Sequence, residues 1–166
     1  INAWCEGTNP LHCMLPWPSD RWLVDDPLTD TGKRLQLSPE AIPHNTDDDE
    51  FDVSAYNIYD GFSPATAAIT VFASDVDLAA TPGLAVEGAF DLSLAQDSPT
   101  VVLDLESGER IAHMVEIDLR AHEEDLPGFA QSLAMLYIRP AVRLLEGRSY
   151  GVALRNITLI DGSEAN

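Results

Sequence analysis

The stretch that most limits what this chain can become is Leu133 to Leu159, LAMLYIRPAVRLLEGRSYGVALRNITL, where two apolar runs of strand length flank a short charged turn. Tyr137-Ile138 and Tyr150-Gly151-Val152-Ala153-Leu154 supply the β-branched and aromatic residues that suit a pleated, half-buried surface, and Glu146-Gly147-Arg148-Ser149 supplies a reversal. The spacing predicts a hairpin on which everything upstream packs or around which it wraps. Pro140 has no N–H for a central ladder, so the first strand is expected to end, or to reach an edge, at that residue.

A second hairpin is expected upstream. Val101, Leu103 and Leu105 alternate in one strand, Glu106-Ser107-Gly108-Glu109 turns the chain, and Ile111, His113, Val115 and Ile117 alternate in the return. The apolar run Ala67–Ala73 reads as a buried strand, Ala89–Ala95 as a helical turn or short strand, and Arg34–Leu37 as a strand end after the turn signal Thr29–Gly32. Helical periodicity is weak throughout. The pattern predicts an all-β fold: an antiparallel immunoglobulin-like β-sandwich with a proline-rich N-terminal wrapping arm. Residues 1–66 form the arm and its loops, 67–162 the sandwich core and 163–166 the start of a connection, within one domain overall.

The balance of 28 acidic against 9 basic residues, a net charge of -19, repels phosphate backbones and anionic lipid headgroups and so disfavours nucleic acid and membrane surfaces as partners. No apolar run approaches the roughly 18–20 residues of a membrane-spanning helix. The chain begins at Ile1 with neither methionine nor signal peptide, which reads as a mature form or, preferentially, as an excerpt of a longer protein.

Candidate chemistry is sparse. Cys5 and Cys13 are the only two cysteines, and the turn-rich residues between them let the sulfurs meet. A disulfide of an exporting compartment is expected; Cys5, His12 and Cys13 as zinc ligands are the alternative, at a spacing unusual for zinc. Trp17 and Trp22 lie among three prolines in Met14–Pro27, a composition that excludes a regular helix; core contact is the expectation for both, with sugar stacking as an alternative. Five carboxylates in the six positions Asp47–Asp52 make Asp47, Asp49 and Asp52 the candidate calcium ligands, although the EF-hand spacing and glycine are absent; a solvated loop is the alternative. No cofactor is required by any motif. Ser63, in Gly61-Phe-Ser-Pro-Ala65, lacks the second glycine of a nucleophile elbow. His113 shares a face with three aliphatics and reads as a hydrogen-bonded core or rim histidine. Asn156-Ile-Thr158 fits a glycosylation sequon in a strand end.

The order of several short motifs carries a resemblance. Leu15-Pro-Trp-Pro-Ser-Asp20, Asp60-Gly-Phe-Ser-Pro64, Ile138-Arg-Pro-Ala141, Leu145-Glu-Gly-Arg-Ser-Tyr-Gly-Val-Ala-Leu154 and Asp161-Gly162 follow one another over about residues 13 to 162. This series resembles the β-rich N-terminal domain of bacterial virulence-factor lipases and related exported α/β-hydrolases; its closing strand also resembles bacterial immunoglobulin-like modules of surface proteins. The resemblance implies an extracellular, periplasmic or cell-surface protein whose catalytic serine, histidine and acid lie in a following domain. This chain would then carry no catalytic residue and act as an accessory module, or as a cleaved piece that stays associated. Its expected partner is the downstream hydrolase domain, met by an apolar face that includes Trp17, Trp22 and Phe62. The alternative is an adhesive or structural module that binds copies of itself. A third possibility, a small autonomous hydrolase or metal enzyme, needs a nucleophile and base gathered from Ser63, His12, His44, His113 or His122, for which no spacing speaks.

Overall fold

Antiparallel pairing organises the chain in its computed structural model, which describes residues 5–42, 44, 47–118 and 134–165. The expected acidic loop His122–Gly128, and with it His122, lies outside the described residues, as does Leu133. Among the described residues the strands are, in chain order, β1 (Leu23–Asp25), β2 (Lys33–Leu35), β3 (Ala68–Phe72), β4 (Thr100–Asp104), β5 (His113–Asp118), β6 (Ala134–Pro140) and β7 (Tyr150–Leu154), with a short α-helix, α1 (Phe90–Leu94), before β4. They make three antiparallel sheets: β1-β2, β3-β6-β5 and β4-β7. The fold is all-β with little helix.

Contacts divide the chain into two compact units, Ile1–Ser63 and Pro64–Asn166. The first, expected as an arm, has a small core of its own: Trp22, Leu35, Leu37 and Ala41 are buried, with Met14, Trp17, Ile42, Val53 and Phe62 against them. β1 and β2 pair Leu23 with Leu35 across a turn that closes at Gly32, whose φ of 71° favours glycine. On its other side the backbone after β2 is met by Asn57, whose side-chain amide accepts from the Leu37 N–H (2.8 Å) and donates to the Leu37 carbonyl (3.1 Å) in the manner of a neighbouring strand.

The second unit corrects both expected hairpins. β6 and β7 do not pair. β6 is the middle strand of its sheet, with Ala134, Leu136 and Ile138 buried, and β3 and β5 occupy both of its edges, so no edge remains for β7. The chain leaves β6 at Pro140, where the sequence requires the ladder to stop, and after nine intervening residues enters a different sheet beside β4. The 101–117 hairpin is right only at its turn. Asp104 N–H donates to the Glu109 carbonyl (2.9 Å), Gly108 has φ 74°, and Ile111 N–H donates to the Val102 carbonyl (2.8 Å), after which β5 departs to pair with β6. The inward face of β4 is also reversed: Thr100, Val102 and Asp104 are buried, whereas Val101 and Leu103 are half-buried and Leu105 is exposed. Polar Thr100 and Asp104 accept burial because each has a partner, described below.

Both sheets of this unit feed one core. Phe72 of β3, Val115 of β5, and Leu136 and Ile138 of β6 meet Val102 of β4, with Ile157 and Leu159 from the segment after β7.

Candidate functional site

The most buried polar group is also the best satisfied. His113 is fully inaccessible, and its Nδ1–H donates to the Ile111 carbonyl (2.9 Å), leaving Nε2 to accept from the Thr100 hydroxyl (2.8 Å). Its backbone N–H donates to Ser93 Oγ (3.0 Å), which in turn donates to the Phe90 carbonyl (2.6 Å) and so ties α1 to β5. Burial holds the imidazole below its ordinary pKa, assisted by the positive charge of Arg110 and opposed by the Ile111 carbonyl. Thr100 and His113 stand as hydroxyl and imidazole in hydrogen-bond contact, yet both are completely buried, and the pair staples β4 to β5. The core-histidine expectation holds.

A second polar centre closes the other end of β4. Asp104 Oδ1 accepts from the N–H groups of Glu106 (2.9 Å) and Ser107 (3.1 Å), and Oδ2 meets Arg148 Nη1 at 2.6 Å. Burial alone would raise this carboxyl, but the Ser107 N–H, the Arg148 guanidinium and the Glu106 N–H together outweigh it and hold it below the usual carboxylate range. Arg148 lies two residues before the start of β7, so the ion pair delivers that strand to β4.

Two further guanidinium groups converge beyond α1. Arg110 donates to the Ala95 and Gln96 carbonyls, and Arg155 to the Ser98 carbonyl (2.9 Å) and to the same Gln96 carbonyl. Neither meets a carboxylate among the described residues, in a chain with 28 acidic side chains. Sequence reasoning passed over Ser93, Thr100, Asp104, Arg110, Arg148 and Arg155. For Thr100 and Asp104 the available signal was their two-residue spacing about Val102.

The residues singled out in advance are scattered. Cys5 and Cys13 form a disulfide with Cα atoms 4.5 Å apart, and Glu6 N–H donates to the Cys13 carbonyl (2.8 Å) across the small loop. Oxidised sulfurs supply no thiolate, so the zinc alternative falls. His12 lies within that loop, half-buried, accepting from the Met14 N–H (3.2 Å); burial lowers its pKa. Trp22 is 2% exposed, and its Nε1–H has no hydrogen-bond partner among the described residues. Trp17 and Phe62 are half-buried and meet edge to face at 4.9 Å. Beside Trp22, Arg21–Val24 and Gln36–Pro39 line an open cleft of about 540 Å³.

In the acidic run, Asp52 Oδ1 caps a 3-10 turn by accepting from the Ser54 N–H (2.9 Å), and Asp48 holds His44 at 2.8 Å, which raises the pKa of that imidazole. Among the described residues no three His, Cys, Asp or Glu side chains gather as a metal site. Ser63 is exposed in a loop that leads into β3 rather than into a helix. Asn156 is exposed at φ 52°, and the Thr158 hydroxyl of its sequon donates to the Ala80 carbonyl (3.3 Å). Among the described residues no helix is long and apolar enough to cross a membrane.

Comparison with protein families, curated proteins and solved structures finds no match to this chain.

Proposed function

We propose that this chain is a non-catalytic accessory domain of an exported lipase- or esterase-type hydrolase, which docks on or shields a catalytic domain supplied by a following segment or an associated piece. The observation that carries this reading is the set of large apolar side chains that the first unit leaves in water within one loop: Phe51, Tyr56, Ile58 and Tyr59, with Ile58 64% exposed and the Phe51 and Tyr56 rings 5.4 Å apart. Exposed apolar groups gathered this closely mark a surface that another protein covers. The buried Thr100-His113 pair supports the reading from the other side, because the hydroxyl and imidazole in contact serve the core. The disulfide fits an extracellular or periplasmic setting. The two sheets that share one core, with the chain crossing between them after β4 and after β6, support an immunoglobulin-like sandwich for the second unit.

Terminal mapping by mass spectrometry of the natively produced protein tests the reading. A continuation, or a co-purifying polypeptide, that contains a G-x-S-x-G segment is the expected result; a native end near Asn166 with no such companion overturns it.

One observation favours the alternative of an adhesive immunoglobulin-like module that binds copies of itself: among the described residues β7 pairs with β4 alone and leaves its other edge unpaired. Light scattering that finds a monomer, with or without a calcium chelator, removes that alternative.

A further inference from the structure

We propose that Arg110 and Arg155 form an oxyanion site at the loop after α1, which takes one phosphate or sulfate group, free or carried on an ester.

The pairing of the cations points there. Lys33, Arg34, Arg139, Arg143 and Arg148 each meet a carboxylate. Arg110 and Arg155 bond carbonyl oxygens and no carboxylate among the described residues, in a chain whose acidic side chains outnumber its basic ones by 28 to 9. These two cations are also drawn together. Both guanidinium groups donate to the Gln96 carbonyl, Arg110 through Nη2 at 3.3 Å and Arg155 through its own Nη2. Carbonyl dipoles position the two groups without cancelling either charge, so like charges stand on either side of one oxygen. Asp97, next in sequence to that carbonyl, is exposed and forms no ion pair with either arginine among the described residues.

The donor count sets the class of ligand. A guanidinium carries five N–H donors. Arg110 spends one on Ala95 and one on Gln96, and Arg155 one on Ser98 and one on Gln96, so donors remain on both. Arg155 is exposed and Arg110 half-buried, which leaves the pair open to water. A tetrahedral dianion matches two adjacent positive charges and offers several oxygens, enough to accept from both forks at once. Chloride offers one charge and no such geometry. General attraction is not the source, because a net charge of -19 repels anions from a distance. The site is therefore local and salt-sensitive, with half-saturation on the order of 1 mM at low ionic strength.

Both arginines belong to the second unit, and the site does not depend on a following hydrolase domain. The test uses the full 166-residue chain, labelled with nitrogen-15, titrated with sodium sulfate and with methyl phosphate against sodium chloride at matched ionic strength. Saturable shifts of the Arg110 and Arg155 Nε–H signals and of the Gln96 to Ser98 amides are expected with sulfate and not with chloride. Methyl phosphate that binds as tightly as sulfate assigns the site to esters, and weaker binding assigns it to the free ion; both uphold the site. Arg155→Gln is expected to weaken sulfate binding about tenfold. Arg143→Gln, which removes the same charge where Glu146 already meets it, is expected to leave binding unchanged. Where Arg155→Gln does not fold, the shifts in the unaltered chain decide. Sulfate shifts no larger than those of chloride, shifts centred away from Gln96, Arg110 and Arg155, or undiminished binding by Arg155→Gln overturns the proposal.

Discussion

His113 shows how a single residue can be legible in type and illegible in partnership. Its alternation with Ile111, Val115 and Ile117 placed it on an inward face, but nothing local announced that Thr100, thirteen positions earlier, would reach its ring. Thr100→Val leaves the Nε2 lone pair buried without a donor and is expected to cost about 1–3 kcal/mol of unfolding free energy, while Thr100→Ser costs little; denaturant unfolding checks both. The pH dependence has a definite sign. Burial depresses the pKa of folded His113 below the unfolded value of about 6.5, so the unfolded chain binds the proton first. This contribution to stability is complete above about pH 6.5 and shrinks as pH falls below it; half-buried His12 acts in the same direction, whereas His44, raised by Asp48, opposes both. Ring nitrogen-15 spectra recorded as the pH falls are expected to show His113 with its proton on Nδ1 and taking its second proton at lower pH than His44; a His113 that titrates with or before His44 contradicts this account. Cys5 and Cys13 were readable from count and spacing alone. Their reduction frees a short loop and is expected to lower stability by about 2–3 kcal/mol, measured by melting with and without reductant.

At the scale of elements, existence was legible and partnership was not. β3 falls within the apolar run Ala67–Ala73, α1 within Ala89–Ala95, and β6 ends at Pro140 as its missing N–H demands. Neighbours in sequence are not neighbours in these sheets: β6 pairs with β3 and β5, and β7 with β4. A strand buried on one face with Ala134, Leu136 and Ile138 recruits neighbours on both edges, and the neighbours it found were β3 and β5. The inward face of β4 failed for a related reason. Val101, Leu103 and Leu105 form an apolar stripe as plausible as the true one, and the choice was made by the distant partners His113 and Arg148. Gly151 leaves room on this outer side: a Cβ there would approach Leu105 Cδ2 to 3.1 Å, so the exposed leucine lies over the glycine. The central place of β6 makes its core residues the expensive ones to truncate. Leu136→Ala is expected to cost about 2–5 kcal/mol, against less than about 0.5 kcal/mol for Leu145→Ala at an exposed position, with chemical denaturation as the measurement.

For the whole molecule, composition set a frame that the structure fills in an unexpected place. A net charge of -19 turns attention to carboxylates, yet the groups that organise the second unit are the few cations: Arg148 anchors β7 beside β4, and Arg110 with Arg155 gathers the carbonyls after α1. The structure leaves Phe51, Tyr56, Ile58 and Tyr59 of the first unit exposed, and among the described residues β7 has β4 as its one strand neighbour. The account depends most on β7 lying beside β4 alone. Residue-resolved amide hydrogen exchange across Tyr150–Leu154 tests that directly. Slow exchange at Gly151 and Ala153, with fast exchange at Tyr150, Val152 and Leu154, is the predicted result; uniform protection of all five would mean that a second strand already covers this edge, and would contradict the account.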